Sequence, residues 1–127
     1  MNWEGIAVHH SASPDVSANE IDRWHKERGW NGIGYHFVIR KDGSIEPARN
    51  WDTAGAHKKG FNTTHIGICV TGNLNEHTPA RHQLASLIDL TQGLITRWNT
   101  TDIIKHHGNC PGRLFPWRFY INNAKEG

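Results

Sequence analysis

Cysteine is scarce in this chain, with two residues, Cys69 and Cys110, in 127. Two thiols make no disulfide framework, so the fold has to rest on a hydrophobic core. No apolar run approaches the roughly 18 residues that cross a bilayer, which excludes a membrane-spanning helix and a membrane partner. Clustered basic residues are missing too. Lys58-Lys59 and Arg40-Lys41 are the adjacent basic pairs, and 14 basic against 12 acidic residues leave a net charge of +2. That near balance speaks against a nucleic-acid partner. The first residues, Met1-Asn2-Trp3-Glu4-Gly5, show no basic stretch followed by an apolar one. No secretory signal is therefore expected, and synthesis in the cytoplasm is.

Histidine and tryptophan are plentiful instead, at ten and six residues. So many imidazoles raise metal ligation or acid–base chemistry as an early expectation. With 36% hydrophobic and 20% charged residues the composition is that of a soluble globular chain. The length suits one domain spanning 1–127, large enough to bury about two-thirds of its unfolded surface. A monomer is the expected state.

Strand-like and helix-like segments alternate, which places the chain in the α/β class with a mixed sheet and helices packed on it. Gly5 to His9 is short and apolar and reads as a buried strand. Ser17 and Glu20 form an S-x-x-E capping pair that opens a helix ended by Gly29. Gly34 to Arg40 is β-branched and aromatic, Lys41-Asp42-Gly43 is a turn, and Ser44 to Glu46 returns as a second strand. His65 to Thr71 is a continuous apolar run and a candidate central strand. Thr78 followed by Pro79 predicts a helix start there, and Leu84, Leu87, Ile88, Thr91, Leu94, Ile95 and Trp98 line its apolar stripe. Ile103-Ile104 is a short strand, and Pro116 opens a last helix.

Two clusters can carry chemistry. His9-His10 ends the first strand, and His106-His107 with Cys110-Pro111 follows a later one. Neighbouring strand ends lie about 5 Å apart, which lets such groups converge on one ion. Two His and one thiolate with an open position is the pattern of catalytic zinc. Two readings stay open on spacing alone: a metal site, or surface histidine pairs with a cysteine that only packs. Spacing also leaves open which histidine of each pair is the ligand, because neighbours on a strand point to opposite faces. Tyr35 reads either as a core tyrosine or as a hydroxyl aimed at the reacting water. His57, in a Gly-containing loop, reads either as an exposed histidine or as a donor to a developing oxyanion. Cys69 reads as a small core residue. His25, His65, His77 and His82 show no partner pattern and read as surface or helix positions. Trp30 and Trp51 read as packing residues, with stacking on sugar rings as the alternative.

Taken together and in order, a set of landmarks resembles the zinc-dependent N-acetylmuramoyl-L-alanine amidases of type 2, which include phage amidase-type lysozymes and animal peptidoglycan recognition proteins. These are Val8-His9-His10-Ser11, Trp24-His25-Lys26 with Gly29-Trp30, Gly34-Tyr35-His36-Phe37, Lys41-Asp42-Gly43, His57 with Gly60, Ile66-Gly67-Ile68, Thr78-Pro79, and His106 with Cys110-Pro111. The likeness runs from about Ile6 to Trp117 and is strongest to the phage branch.

The resemblance implies a central mixed sheet with a zinc groove on one face. It implies His9, His106 and Cys110 as zinc ligands, Tyr35 as the catalytic tyrosine, and His57 as a groove histidine near the substrate. It further implies cleavage of the amide between N-acetylmuramic acid and L-alanine in peptidoglycan by an endolysin acting on the cell wall. One departure stands out. The phage branch carries a catalytic lysine two residues before its cysteine ligand, and here that position is Gly108. Two alternatives follow from the same likeness: a non-catalytic peptidoglycan-binding module, which the filled ligand positions oppose, and a regulator that binds RNA polymerase.

Overall fold

The computed structural model describes residues 1–126. Five strands and three helices follow in the order β1 (Gly5–His10), α1 (Ala18–Glu27), β2 (Phe37–Ile39), β3 (Ile45–Pro47), β4 (His65–Val70), α2 (Arg81–Trp98), β5 (Asp102–Lys105) and α3 (Trp117–Glu126). They build one sheet in the order β3-β2-β4-β1-β5. β1 runs parallel to β4 and β5, β2 runs parallel to β4, and the β2–β3 hairpin is antiparallel. Among the described residues no helix is long and apolar enough to cross a membrane.

β1 and β4 are buried at every position, as expected of parallel strands covered on both faces. The period of two then sorts their side chains. Ile6 and Val8 of β1 join Ile66, Ile68 and Val70 of β4 in the larger core, where Leu87 and Leu94 of α2 and Tyr120 and Ala124 of α3 meet them. On the other face Cys69 and Val38 pack with Ile21 of α1 and with Ile33. His9 pairs in register with Cys69 and shares this second face, while His10 turns toward the first.

Several boundaries differ from the sequence expectation. The strand expected over residues 34–40 shortens to Phe37–Ile39. Gly34, Tyr35 and His36 instead exchange backbone hydrogen bonds with Ala56, Arg49, Ala48 and Gly67, so no single neighbour strand pairs them. At Gly34 a Cβ would sit 2.0 Å from the Ala56 carbonyl oxygen, so glycine is what lets the two loops touch. α2 starts at Arg81 with Ala80 in the cap position, not at Thr78-Pro79. The Gln83 side chain supplies the cap by accepting from the Ala80 N–H at 3.3 Å. α1 opens as expected, with the Ser17 hydroxyl accepting from the Glu20 N–H.

Asp15 ties three segments together. It accepts from the Arg40 guanidinium, the Lys41 N–H and the Thr71 hydroxyl. Burial opposes its ionisation, but these hydrogen bonds outweigh burial and lower its pKa to about 2. A carboxylate with a depressed native pKa stabilises the fold above its unfolded pKa and loses that contribution as pH falls. Asp15→Asn is therefore expected to cost about 1 kcal/mol at pH 7, a figure reduced for the partial exposure of the pair. Urea titrations should show the difference from wild type shrinking between about pH 4 and pH 2. A difference that stays constant over that range would remove the ionised Asp15 from the account.

Candidate metal centre

The site grows from two strand ends and the loop that follows one of them. β1 delivers His9, β5 leads into His106, and the loop after it brings Cys110 back beside β1. The His106 N–H donates to the Val8 carbonyl, which continues the β1–β5 ladder. His107 and Cys110 then exchange two backbone hydrogen bonds and close the loop. The His10 N–H donates to Cys110 Sγ at 3.3 Å. One donor atom from each of His9, His106 and Cys110 lies within 4.8 Å of the other two. Of each histidine pair, then, it is the first member that enters the cluster. His10 instead accepts from the Leu74 N–H on the opposite face, and His107 is exposed and accepts from the Asn109 N–H.

The hydrogen bonds around His9 determine its tautomer. His57 Nε2 lies 2.9 Å from the His65 carbonyl oxygen, an acceptor only, so Nε2 donates. In a neutral ring that leaves Nδ1 of His57 as an acceptor, and His9 Nε2 donates to it over 2.8 Å. The lone pair of His9 then resides on Nδ1. This atom is buried and has no hydrogen-bond partner; Trp98 Nε1 is the other such side-chain atom among the described residues. An orphaned acceptor inside a His/His/Cys cluster is what a metal ligand looks like without its ion.

The electrostatics match that role. Burial, the neighbouring histidines and the Lys58 ammonium hold His9 neutral, far below the ordinary imidazole value. Burial first, then His107 and Lys58, lower His106 to about 4. Burial raises the Cys110 thiol to about 11, against smaller opposite effects of the His10 N–H and Lys58. Two neutral imidazoles and a thiol that gives up its proton on metal binding form a set suited to zinc.

Tyr35 packs against His9 with ring centroids 5.0 Å apart and against His25 at 5.5 Å. Burial and the neighbouring thiols of Cys69 and Cys110 push its hydroxyl well above the usual phenol range. Tyr35 thus stands beside the cluster while packing against the second core. His57 corrects an expectation. It is buried and both ring nitrogens are bonded, so it supports His9 from behind and has no donor left for an oxyanion. Its ring lies over Gly67 of β4, where a Cβ would meet Cδ2 at 2.6 Å, so a glycine inside a central strand makes the room.

His25 and His65, read as surface or helix positions, are both buried, His25 on α1 and His65 at the start of β4. His25 accepts from the Gly34 N–H, and His65 bridges Thr64 and Asp102. Trp51 packs edge-on against Trp98 and Phe37, whereas Trp30 stays exposed beside His25. Lys58, read in the sequence only as half of a basic pair, reaches the cluster and donates to the His106 carbonyl. Its place directly after His57 was the available signal. A cavity of about 980 Å³ is lined by Asp15 of the β1–α1 loop, Asn73 of the β4–α2 loop and Gln83 of α2, among others, and none of the three donors borders it.

The N-acetylmuramoyl-L-alanine amidase family model matches residues 1–113. The endolysin of Klebsiella phage KP32 is 39% identical over 116 residues, covering 84% of this chain and 76% of that protein. The endolysin of Escherichia phage T7 is 37% identical over 118 residues, with 85% and 77% covered. Among solved structures, the N-acetylmuramoyl-L-alanine amidase LysC from Clostridium intestinale URNW matches with a TM-score of 0.94 and 38% identity, over 98% of this chain and 87% of that one.

Proposed function

The chain belongs to the N-acetylmuramoyl-L-alanine amidase family, and from that membership we propose that it works as a single amidase domain, residues 1–127, with zinc held by His9, His106 and Cys110. It is a peptidoglycan amidase of the phage endolysin kind, and its reaction is hydrolysis of the amide between N-acetylmuramic acid and L-alanine in the cell wall. The observation that carries the metal assignment is the convergence of the three donors around the unpartnered His9 Nδ1. Bound zinc supplies Lewis acidity toward the amide carbonyl and the attacking water.

The chain's own side chains do the rest. His9 presents Nδ1 because His57 holds its other nitrogen, and the His65 carbonyl holds His57. Tyr35, whose ring packs on His9, orients the attacking water with its hydroxyl. A filled donor set favours this reading over a binding module that has lost its metal. The chain acts as a monomer.

The test is a digest of purified peptidoglycan with and without a chelator, read by mass spectrometry. Stem peptides that begin at L-alanine should appear, vanish on chelation and return with zinc. No release from zinc-loaded protein would move the binding-module reading to the front.

His57 is a positioning residue in this account. His57→Ala should weaken zinc binding by about 10- to 100-fold, the usual cost of losing a ligand's supporting hydrogen bond. Gly67→Ala should shift affinity in the same direction by displacing the His57 ring. Saturating zinc should restore most turnover in both. Unchanged affinity, measured by chelator competition, would return His57 to simple packing.

A further inference from the structure

The lysine at the cluster has no counter-ion. Lys58 leaves the loop that carries His57 and crosses to the loop that carries His106, where it donates to the backbone carbonyl. Its ammonium lies 4.9 Å from the Phe61 ring centroid, which fixes the stem. The residue is half-buried, while Lys59 next to it is exposed. Among the described residues no carboxylate pairs with Lys58. The loop from His106 to Cys110 carries no lysine or arginine of its own, and Gly108 and Asn109 are neutral.

A strut for the His106 carbonyl needs only a neutral donor. An unpaired ammonium also repels a metal cation, so its charge works against the site at rest. It works in favour of the site once negative charge appears there. One of its three N–H groups is used by His106, which leaves two for another acceptor.

We propose that Lys58 stabilises the negative charge that develops on the scissile amide oxygen. This inference rests on the amidase reading above. Water adds to the amide carbon, and the carbonyl π electrons move onto oxygen, which becomes the oxyanion facing Lys58. Collapse re-forms the carbonyl and breaks the C–N bond. Both protons of the water finish on the departing amine, so the products are a carboxylate and an alkylammonium. Lys58 ends the cycle in the charge state in which it began.

The test compares Lys58→Met, Lys58→Arg and Lys59→Met as full chains. Zinc affinity is read by competition with a chromophoric chelator, and kcat and KM are read on a soluble muramoyl peptide. Lys58→Met should bind zinc about three- to tenfold more tightly, because a repelling charge is gone. Its kcat at saturating zinc should fall by about 10²- to 10³-fold with KM nearly constant, as when an oxyanion donor is removed. Lys58→Arg should keep most of the turnover, and Lys59→Met should match wild type in both measurements. Weaker zinc binding in Lys58→Met with turnover restored by excess zinc would overturn the proposal and leave Lys58 a strut. Undiminished kcat would overturn it as well. Failure of the wild type itself to release peptide would instead overturn the amidase reading, so the two failures are distinguishable.

Discussion

Cys110→Ser and His9→Ala will each empty the zinc site at ordinary zinc concentrations and lower peptide release by at least about 10³-fold, since both lose the Lewis acid on which the chemistry depends. The two variants fail for different reasons. Cys110 Sγ is buried and is already directed into the cluster by the His10 N–H. Its thiol sits near pKa 11 without metal, so zinc binding must expel the thiol proton. A serine hydroxyl ionises far less readily and leaves two neutral imidazoles, too weak a set to retain the ion. His9→Ala removes the ligand and also strips His57 Nδ1 of its donor. That buried orphan should add a stability loss of about 1–3 kcal/mol, visible as a lower thermal midpoint before any metal is added. Metal content by mass spectrometry and stem-peptide release should fall together. Full activity in either variant would strike that residue from the ligand set.

Tyr35→Phe should behave in the opposite way. The ring stays packed against His9 and His25, so one zinc per chain should remain and the thermal midpoint should barely move. Only the hydroxyl is lost. If it orients the attacking water, kcat should drop by about 10²- to 10³-fold with KM nearly constant, the signature of an interaction made in the transition state. An unchanged kcat would make Tyr35 a packing residue for the His9 ring and nothing more.

Much of this was legible in the residues, and the parts that were not share a cause. Ser17 with Glu20 marked the start of α1 because a cap depends on atoms three residues apart. The start of α2 was misjudged because Gln83, not Thr78, supplies the cap, and a side chain one turn inside the helix leaves no distinctive local pattern. β2 came out shorter than its β-branched run because Gly34 to His36 pair with loop residues far along the chain. His25 and His65 looked unremarkable because their partners, Gly34 and Asp102, lie 9 and 37 residues away.

The sequence by itself determined the class of fold, the alternation of strand and helix, and the small set of donors from which the site is made. Those features depend on periodicity and on residue types close along the chain, and the resemblance to a family added the order of ligands. Only the tertiary structure decided what each donor faces. The strand period turns His9 toward Tyr35 and His57, and sends His10 to the opposite core. The His65 carbonyl, the gap above Gly67 and the reach of Lys58 to His106 join residues 8 to 48 positions apart. Hydrogen-bond direction and the electrostatic field are properties of proximity in space, and proximity in space exists only after the sheet has formed.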